Sequence, residues 1–125
     1  MNIEELVKII DGKVMTPGVS LDREIKGGCG ADLMSDVLAS IQPDAVLLTG
    51  LCNPQVVRTA MMADVSAIVI VRGKTPPPAT IKLAIDENIP IIQTPYGMFE
   101  LCGRLFNHGL PSLEKTIPDG LCECE

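Results

Sequence analysis

Apolar positions fall into two alternating patterns along most of the chain. Short continuous apolar runs at Ala45–Thr49, Ala67–Val71 and Ile89–Thr94 have the length and β-branched character of strands buried on both faces. Between and after them, apolar residues recur at helical spacing. Val56, Val57, Ala60 and Met61 form one stripe, Ile81, Ala84 and Ile85 a second, and Tyr96–Asn107 carries a third. The boundaries are marked by residues with local reasons to be there. Asn53-Pro54 supplies an N-cap followed by proline at the first helical position. Pro76–Pro78 suit a loop and a first helical turn, Asn88 closes the second helix, and His108-Gly109 closes the last. Three such strand–helix units imply a three-layer α/β fold: a mainly parallel sheet with helices on its faces, each crossover right-handed.

The first 44 residues are less regular. Asn2-Ile-Glu-Glu5 has the form of a capping box, followed by Leu6, Val7 and Ile10 in one stripe with Ile3 and a stop at Asp11-Gly12. Lys13–Thr16 reads as a short strand ended by Pro17-Gly18. Three glycines in the four positions 27–30 predict a mobile or tightly turned backbone. Leu33, Met34, Val37, Leu38 and Ile41 then repeat at helical spacing, with Asp32 as N-cap. From Pro111 to Glu125 no period is visible. The expected organisation is an α/β domain over residues 1–110 and a C-terminal tail over 111–125.

The last helix holds all the aromatic residues, Tyr96, Phe99 and Phe106, with only a narrow polar stripe of Glu100, Arg104 and Asn107. A helix this apolar predicts burial on more than one side. Together with Met61 and Met62 it suggests a subunit interface, hence a homodimer.

Composition narrows the class. The chain has 125 residues, a formal net charge of −6 and 46% apolar residues. That is a single globular domain, too apolar for a disordered protein and without the basic clusters of a nucleic-acid-binding surface. No apolar run reaches the ~18–20 residues of a membrane span, and no signal-peptide pattern opens the chain. The expectation is a cytoplasmic protein with reduced thiols. Cys29, Cys52 and Cys102 lie in apolar or glycine-rich surroundings and behave as small hydrophobes. Cys122 and Cys124 sit in an acidic stretch. They are weak metal candidates, because a closed site needs about four ligands; they are otherwise a dithiol or simply two tail thiols.

In an open parallel sheet, ligands bind beyond the carboxyl ends of the strands. Here those ends bring Thr49, Asn53, Arg72, Lys74 and Thr94 to one rim, where helix N-termini favour an anion and Arg72 can grip phosphate or carboxylate bidentately. The same residue types are also ordinary strand ends and caps. Gly73-Lys74-Thr75 is not a phosphate-binding P-loop, since position 68 is Ile68 rather than glycine. His108 suits a helix C-terminal cap, Asp32 and Asp36 suit a solvated helix face, and no catalytic set can be assembled. No cofactor is expected.

Leu21–Gly28 (Leu-Asp-Arg-Glu-Ile-Lys-Gly-Gly), followed by Asp32–Leu38, resembles a DRTGG domain. Further similarity lies in Pro54, Val56, Arg58 and Ala60, in Ala67–Gly73, and in Ile89–Thr94 with Phe99-Glu100-Leu101. Glu24-Ile25-Lys26 stands between the Asp-Arg pair and the glycines, so no role of the family's threonine carries over. The resemblance implies a fold similar to the N-terminal domain of HPr kinase/phosphorylase and of Mur ligases. It also implies a regulatory or dimerising role, as in CBS-containing pyrophosphatases and long phosphotransacetylases. Asp22, Arg23, Gly27 and Gly28 are then a lid or a dimer contact. The kinase half of HPr kinase has no counterpart, so its activity is not expected. Some stand-alone members resemble proteins encoded near iron-only hydrogenase subunits. The leading expectation is a non-catalytic, homodimeric module that senses a small anionic metabolite or nucleotide. The alternative is an accessory protein of a redox enzyme, acting through Cys122 and Cys124.

Overall fold

Side chains alternate across the central strands and divide the interior into two cores, one on each face of a sheet. Leu47, Ile68, Ile70 and Ile91 face one way, and Val46, Leu48, Val69 and Ile92 the other. The period of two along a strand forces this split, and apolar residues at both parities demand a helix layer on each side. The computed structural model describes residues 1–116. In chain order it contains α1 (Ile3–Ile9), β1 (Lys13–Val14), β2 (Gly27–Gly30), α2 (Met34–Ser40), β3 (Ala45–Thr49), α3 (Pro54–Ala63), β4 (Ala67–Ile70), α4 (Pro78–Asp86), β5 (Ile91–Gln93) and α5 (Met98–Asn107). Helices α2, α3 and α4 cover the first core, and α1 and α5 the second.

The sheet order is β1-β5-β4-β3-β2. Strands β2 to β5 are parallel, and β1 closes one edge antiparallel to β5. The three strands read from continuous apolar runs are therefore adjacent and point the same way, so their exits share one rim. The capping box on α1 forms as expected, with the Glu5 amide donating to Asn2 Oδ1 at 2.8 Å. His108 is the C-cap of α5, its Nδ1 2.8 Å from the Arg104 carbonyl.

Several expectations are corrected. Residues 27–30 are not a mobile turn. They form β2, paired with β3 from Gly27↔Ala45 to Gly30↔Leu48. The glycine at 27 answers a packing need: a Cβ there would lie 2.5 Å from Leu113 Cγ and 2.7 Å from the Pro111 carbonyl oxygen. Residues 111–115, expected to belong to a tail, are what packs against it. Gly28 N–H donates to Pro111 O at 2.8 Å, and Leu113 N–H donates back to Gly28 O at 3.0 Å. The segment thus covers the open edge of β2, as an otherwise unpaired edge requires. Helix α5 is buried through Leu101 and Leu105 on one side only, leaving Phe99 95% and Phe106 72% exposed. On α4 the inward stripe is Thr80 and Ala84, while Ile85 is partly exposed. Cys122 and Cys124 lie outside the described residues.

Candidate functional site

The rim is built where the backbone leaves β3, β4 and β5. Strand β3 ends in Thr49-Gly50, and the Thr49 hydroxyl is fully buried. It donates to Asp32 Oδ1 at 3.0 Å and accepts from the Leu51 amide at 3.2 Å. The Gly50 amide donates to the same Asp32 oxygen at 2.7 Å. Asp32 is not the N-cap of α2; Leu33 holds that position, without a side-chain cap. One residue earlier, Asp32 leaves the end of β2 and crosses to the end of β3. The Gly50 amide is the main reason its carboxyl is held below the ordinary carboxylate value. The Thr49 hydroxyl and the nearby Lys74 and Arg72 charges add to this, against partial desolvation.

Strand β4 exits through Val71-Arg72-Gly73-Lys74. Arg72 has φ +60° and Gly73 φ +67°. This left-handed pair turns the chain over β5, with Arg72 N–H donating to Tyr96 O and Gly73 N–H to Thr94 O, both at 2.8 Å. A left-handed conformation is ordinary for Gly73 and costs about 1–2 kcal/mol at a residue bearing a Cβ. The turn leaves the Arg72 side chain exposed, and among the described residues its guanidinium makes no hydrogen bond or ion pair. Its Nη2 lies 3.7 Å from the point where a Cβ on Gly50 would sit, and the two Asp32 carboxylate oxygens lie 3.5 and 3.6 Å from it. Lys74 Nζ donates to Gly50 O at 2.6 Å. Gly50 is thus a bare floor ringed by one carboxylate and two cations.

At the end of β5, Thr94 is fully buried and its hydroxyl donates to Ile10 O at 2.7 Å. It ties α1 to the sheet from within. Asn53 is exposed at the start of α3 and makes no side-chain cap. Of the five residues proposed from sequence, the structure places Arg72 and Lys74 together at Gly50. Thr49 stands beneath them, Thr94 is engaged inside, and Asn53 presents at the neighbouring helix an exposed side-chain amide that makes no hydrogen bond among the described residues. Asp32 is the rim residue that sequence reasoning missed. Its neighbours in the sequence carry no signal of this role, because the pairing of β2 with β3 does not show in a glycine-rich segment, and Asp32 reads there as a helix cap.

The Asp-Arg pair of the motif lies elsewhere. Arg23 sits at the opposite end of the sheet, where β3 and β4 begin. Its guanidinium donates to Asp44 Oδ1 (3.0 Å), Asp64 Oδ1 (3.0 Å), Asp64 O (2.8 Å) and Val65 O (3.1 Å). Asp44 and Asp64 have φ of +69° and +54°, a backbone that Asp tolerates, so Arg23 clamps two tight entries into the sheet. Asp22 is exposed beside it.

A layered α/β domain with its free polar groups at the carboxyl rim is the architecture in which open sheets hold ligands. The chain belongs to the DRTGG domain family, whose model matches residues 5–107. Among solved structures it is similar to the CBS and DRTGG domains of the regulatory region of Clostridium perfringens pyrophosphatase, complexed with the activator diadenosine tetraphosphate. That match has a TM-score of 0.63 at 18% identity and covers 87% of this chain and 47% of that one. The chain spans about half the length of that structure, and the likeness is one of fold. No curated protein matches it. Among the described residues, no helix is long and apolar enough to cross a membrane.

Proposed function

We propose that this protein is a non-catalytic regulatory module that binds a small anionic ligand, of the nucleotide or phosphometabolite class, at the rim around Gly50, and works as a homodimer. The observation that carries the reading is Arg72: a guanidinium over a glycine floor, unpaired among the described residues and held by a left-handed backbone that a binding role justifies and packing does not. Lys74 adds a second cation, and the start of α3 adds the Asn53 amide. Membership in the DRTGG family supports a regulatory role, as does the regulatory region to which the fold is similar, whose activator is itself a nucleotide. The outer stripe of α5, Phe99 and Phe106 flanking the exposed Gly103, supports association with a second copy, because large apolar side chains are seldom left this open on a monomer.

A thermal-shift screen of the full chain against nucleotides and phosphorylated metabolites tests the reading. A ligand present at about 100 times its Kd stabilises by about 2.7 kcal/mol, so a true ligand raises Tm by several degrees. Arg72→Ala removes that shift without lowering the Tm of the ligand-free protein. If no anion stabilises the protein, or if Arg72→Ala is stabilised equally, the rim is not a site. Light scattering tests the dimer: a monomeric mass, unchanged by Phe99→Glu, overturns it.

A further inference from the structure

On the rim reading above, the groups around Gly50 also bear on which anion they hold. A site evolved for a bare anion has no use for a carboxylate beside its arginine, because like charges repel at close range. Yet Asp32 is fixed there by two donors on one oxygen, the Gly50 amide at 2.7 Å and the Thr49 hydroxyl at 3.0 Å. Its other oxygen, Oδ2, has no hydrogen-bond donor among the described residues and faces the same floor as Arg72 Nη2. Asp32 and Arg72 both border the point above Gly50 where a Cβ would sit, and they form no ion pair with each other. Both flank a space that a single methyl group on Gly50 would enter.

We propose that Asp32 is a specificity residue that receives hydroxyl donors of a sugar phosphate while Arg72 and Lys74 hold its phosphate. The charge count favours this over a zwitterion. Two cations and one anion leave a positive excess, which suits a ligand that pairs a negative phosphate with neutral donors. An ionised carboxylate accepting sugar hydroxyls also follows the logic by which acidic residues at strand ends select ribose in other open sheets. A ribose phosphate arrives either as the free sugar phosphate or as part of a nucleotide, and the two share this chemistry.

Calorimetric titration of the full chain with four probes tests it: AMP, ribose 5-phosphate, 2′,3′-dideoxy-AMP and inorganic phosphate. A hydrogen bond to a charged group is worth about 1.5–3 kcal/mol, so AMP or ribose 5-phosphate should bind at least about tenfold more tightly than phosphate. Dideoxy-AMP should lose most of that margin relative to AMP. Asp32→Asn keeps an acceptor for Gly50 and Thr49 and removes the charge. It should shrink the sugar-phosphate preference to within about threefold while phosphate binds as well or better. Gly50→Ala, whose methyl meets only ordinary contacts in the free protein, should weaken the sugar phosphates more than phosphate. AMP binding above ribose 5-phosphate identifies a nucleotide source; equal binding identifies the sugar phosphate alone. Phosphate binding as tightly as both sugar phosphates, or Asp32→Asn weakening every probe alike, overturns the inference and leaves the anion site standing. Binding of none of the four overturns both.

Discussion

Two arginines mark the two ends of one sheet, and their treatment differs at every level. Arg23, where β3 and β4 begin, donates to two carboxylates and two backbone carbonyls. Arg72, at the exit of β4, donates through its backbone amide only, among the described residues. The backbone tells the same story. Among the described residues, five other than glycine have positive φ, and four of them are Asp11, Asp44, Asp64 and Asn88, types that tolerate it. Arg72 is the fifth. At the entry end, charge completes the fold. At the exit end, the fold bears a strained residue to hold a charge in the open. Such an outlier points to function when the surroundings hold it in place, and here the Tyr96 and Thr94 carbonyls do so.

Replacing each arginine separates the two roles most sharply. Arg23→Ala leaves the Val65 carbonyl without its donor and the Asp64 carbonyl with the Asp44 amide alone, while the Asp64 carboxylate loses its cation and Asp44 keeps only Lys26. The partly exposed ion pairs count for little, so the loss is set by the carbonyl hydrogen bonds, about 2 kcal/mol in all. Arg72→Ala should fall within about 0.5 kcal/mol of the parent, as a surface substitution does. Urea unfolding of both variants checks this. Equal losses would dissolve the distinction between clamp and free group.

Acid probes the same contrast through the carboxylates. The hydrogen bond from Arg23 holds Asp44 below its ordinary value, and the Gly50 amide does so for Asp32. A carboxyl whose folded pKa is depressed contributes stability that is complete above its unfolded value and lost as pH falls through the folded one. The urea midpoint should therefore stay level from about pH 7 to about pH 5 and decline below about pH 4. Arg23→Ala should flatten the part of that decline due to Asp44, and Asp32→Asn the part due to the rim. A decline unchanged in both variants would show that neither contact matters to acid stability.

What the sequence made legible follows the range of the interactions. Strands β3, β4 and β5 announce themselves because continuous apolar runs have one good solution, burial on both faces. Their common direction follows from the helices between them, and that placed Arg72 and Lys74 on one rim. Strand β2 is silent, because Gly-Gly-Cys-Gly has no side-chain period; its strand character comes from β3 on one side and residues 111–113 on the other. The fate of each hydroxyl was equally hidden. Thr49 and Thr94 look like ligand groups until Asp32 and the Ile10 carbonyl claim them, from 17 and 84 residues away. Asp32 was legible only as a cap, because its real partners are set by the β2–β3 pairing that the glycines conceal.

The smallest expected effect is also the one that isolates the Arg72 side chain from its backbone. Removing the Cβ from a left-handed residue relieves about 1–2 kcal/mol, and the added freedom of glycine in the unfolded chain offsets about 0.5–1 of it. Arg72→Gly should therefore be slightly more stable than the parent, by about 0.5 kcal/mol, whereas Arg72→Ala keeps the Cβ and gains nothing. Both should lose anion binding equally. A gain in stability joined to a loss of binding would mean that the arginine is retained against the preference of the fold. A loss of stability in Arg72→Gly would instead make its aliphatic stem part of the packing against Gly97, whose absent Cβ would lie 3.9 Å from Arg72 Cγ, and the two ends of the sheet would then differ in degree rather than in kind.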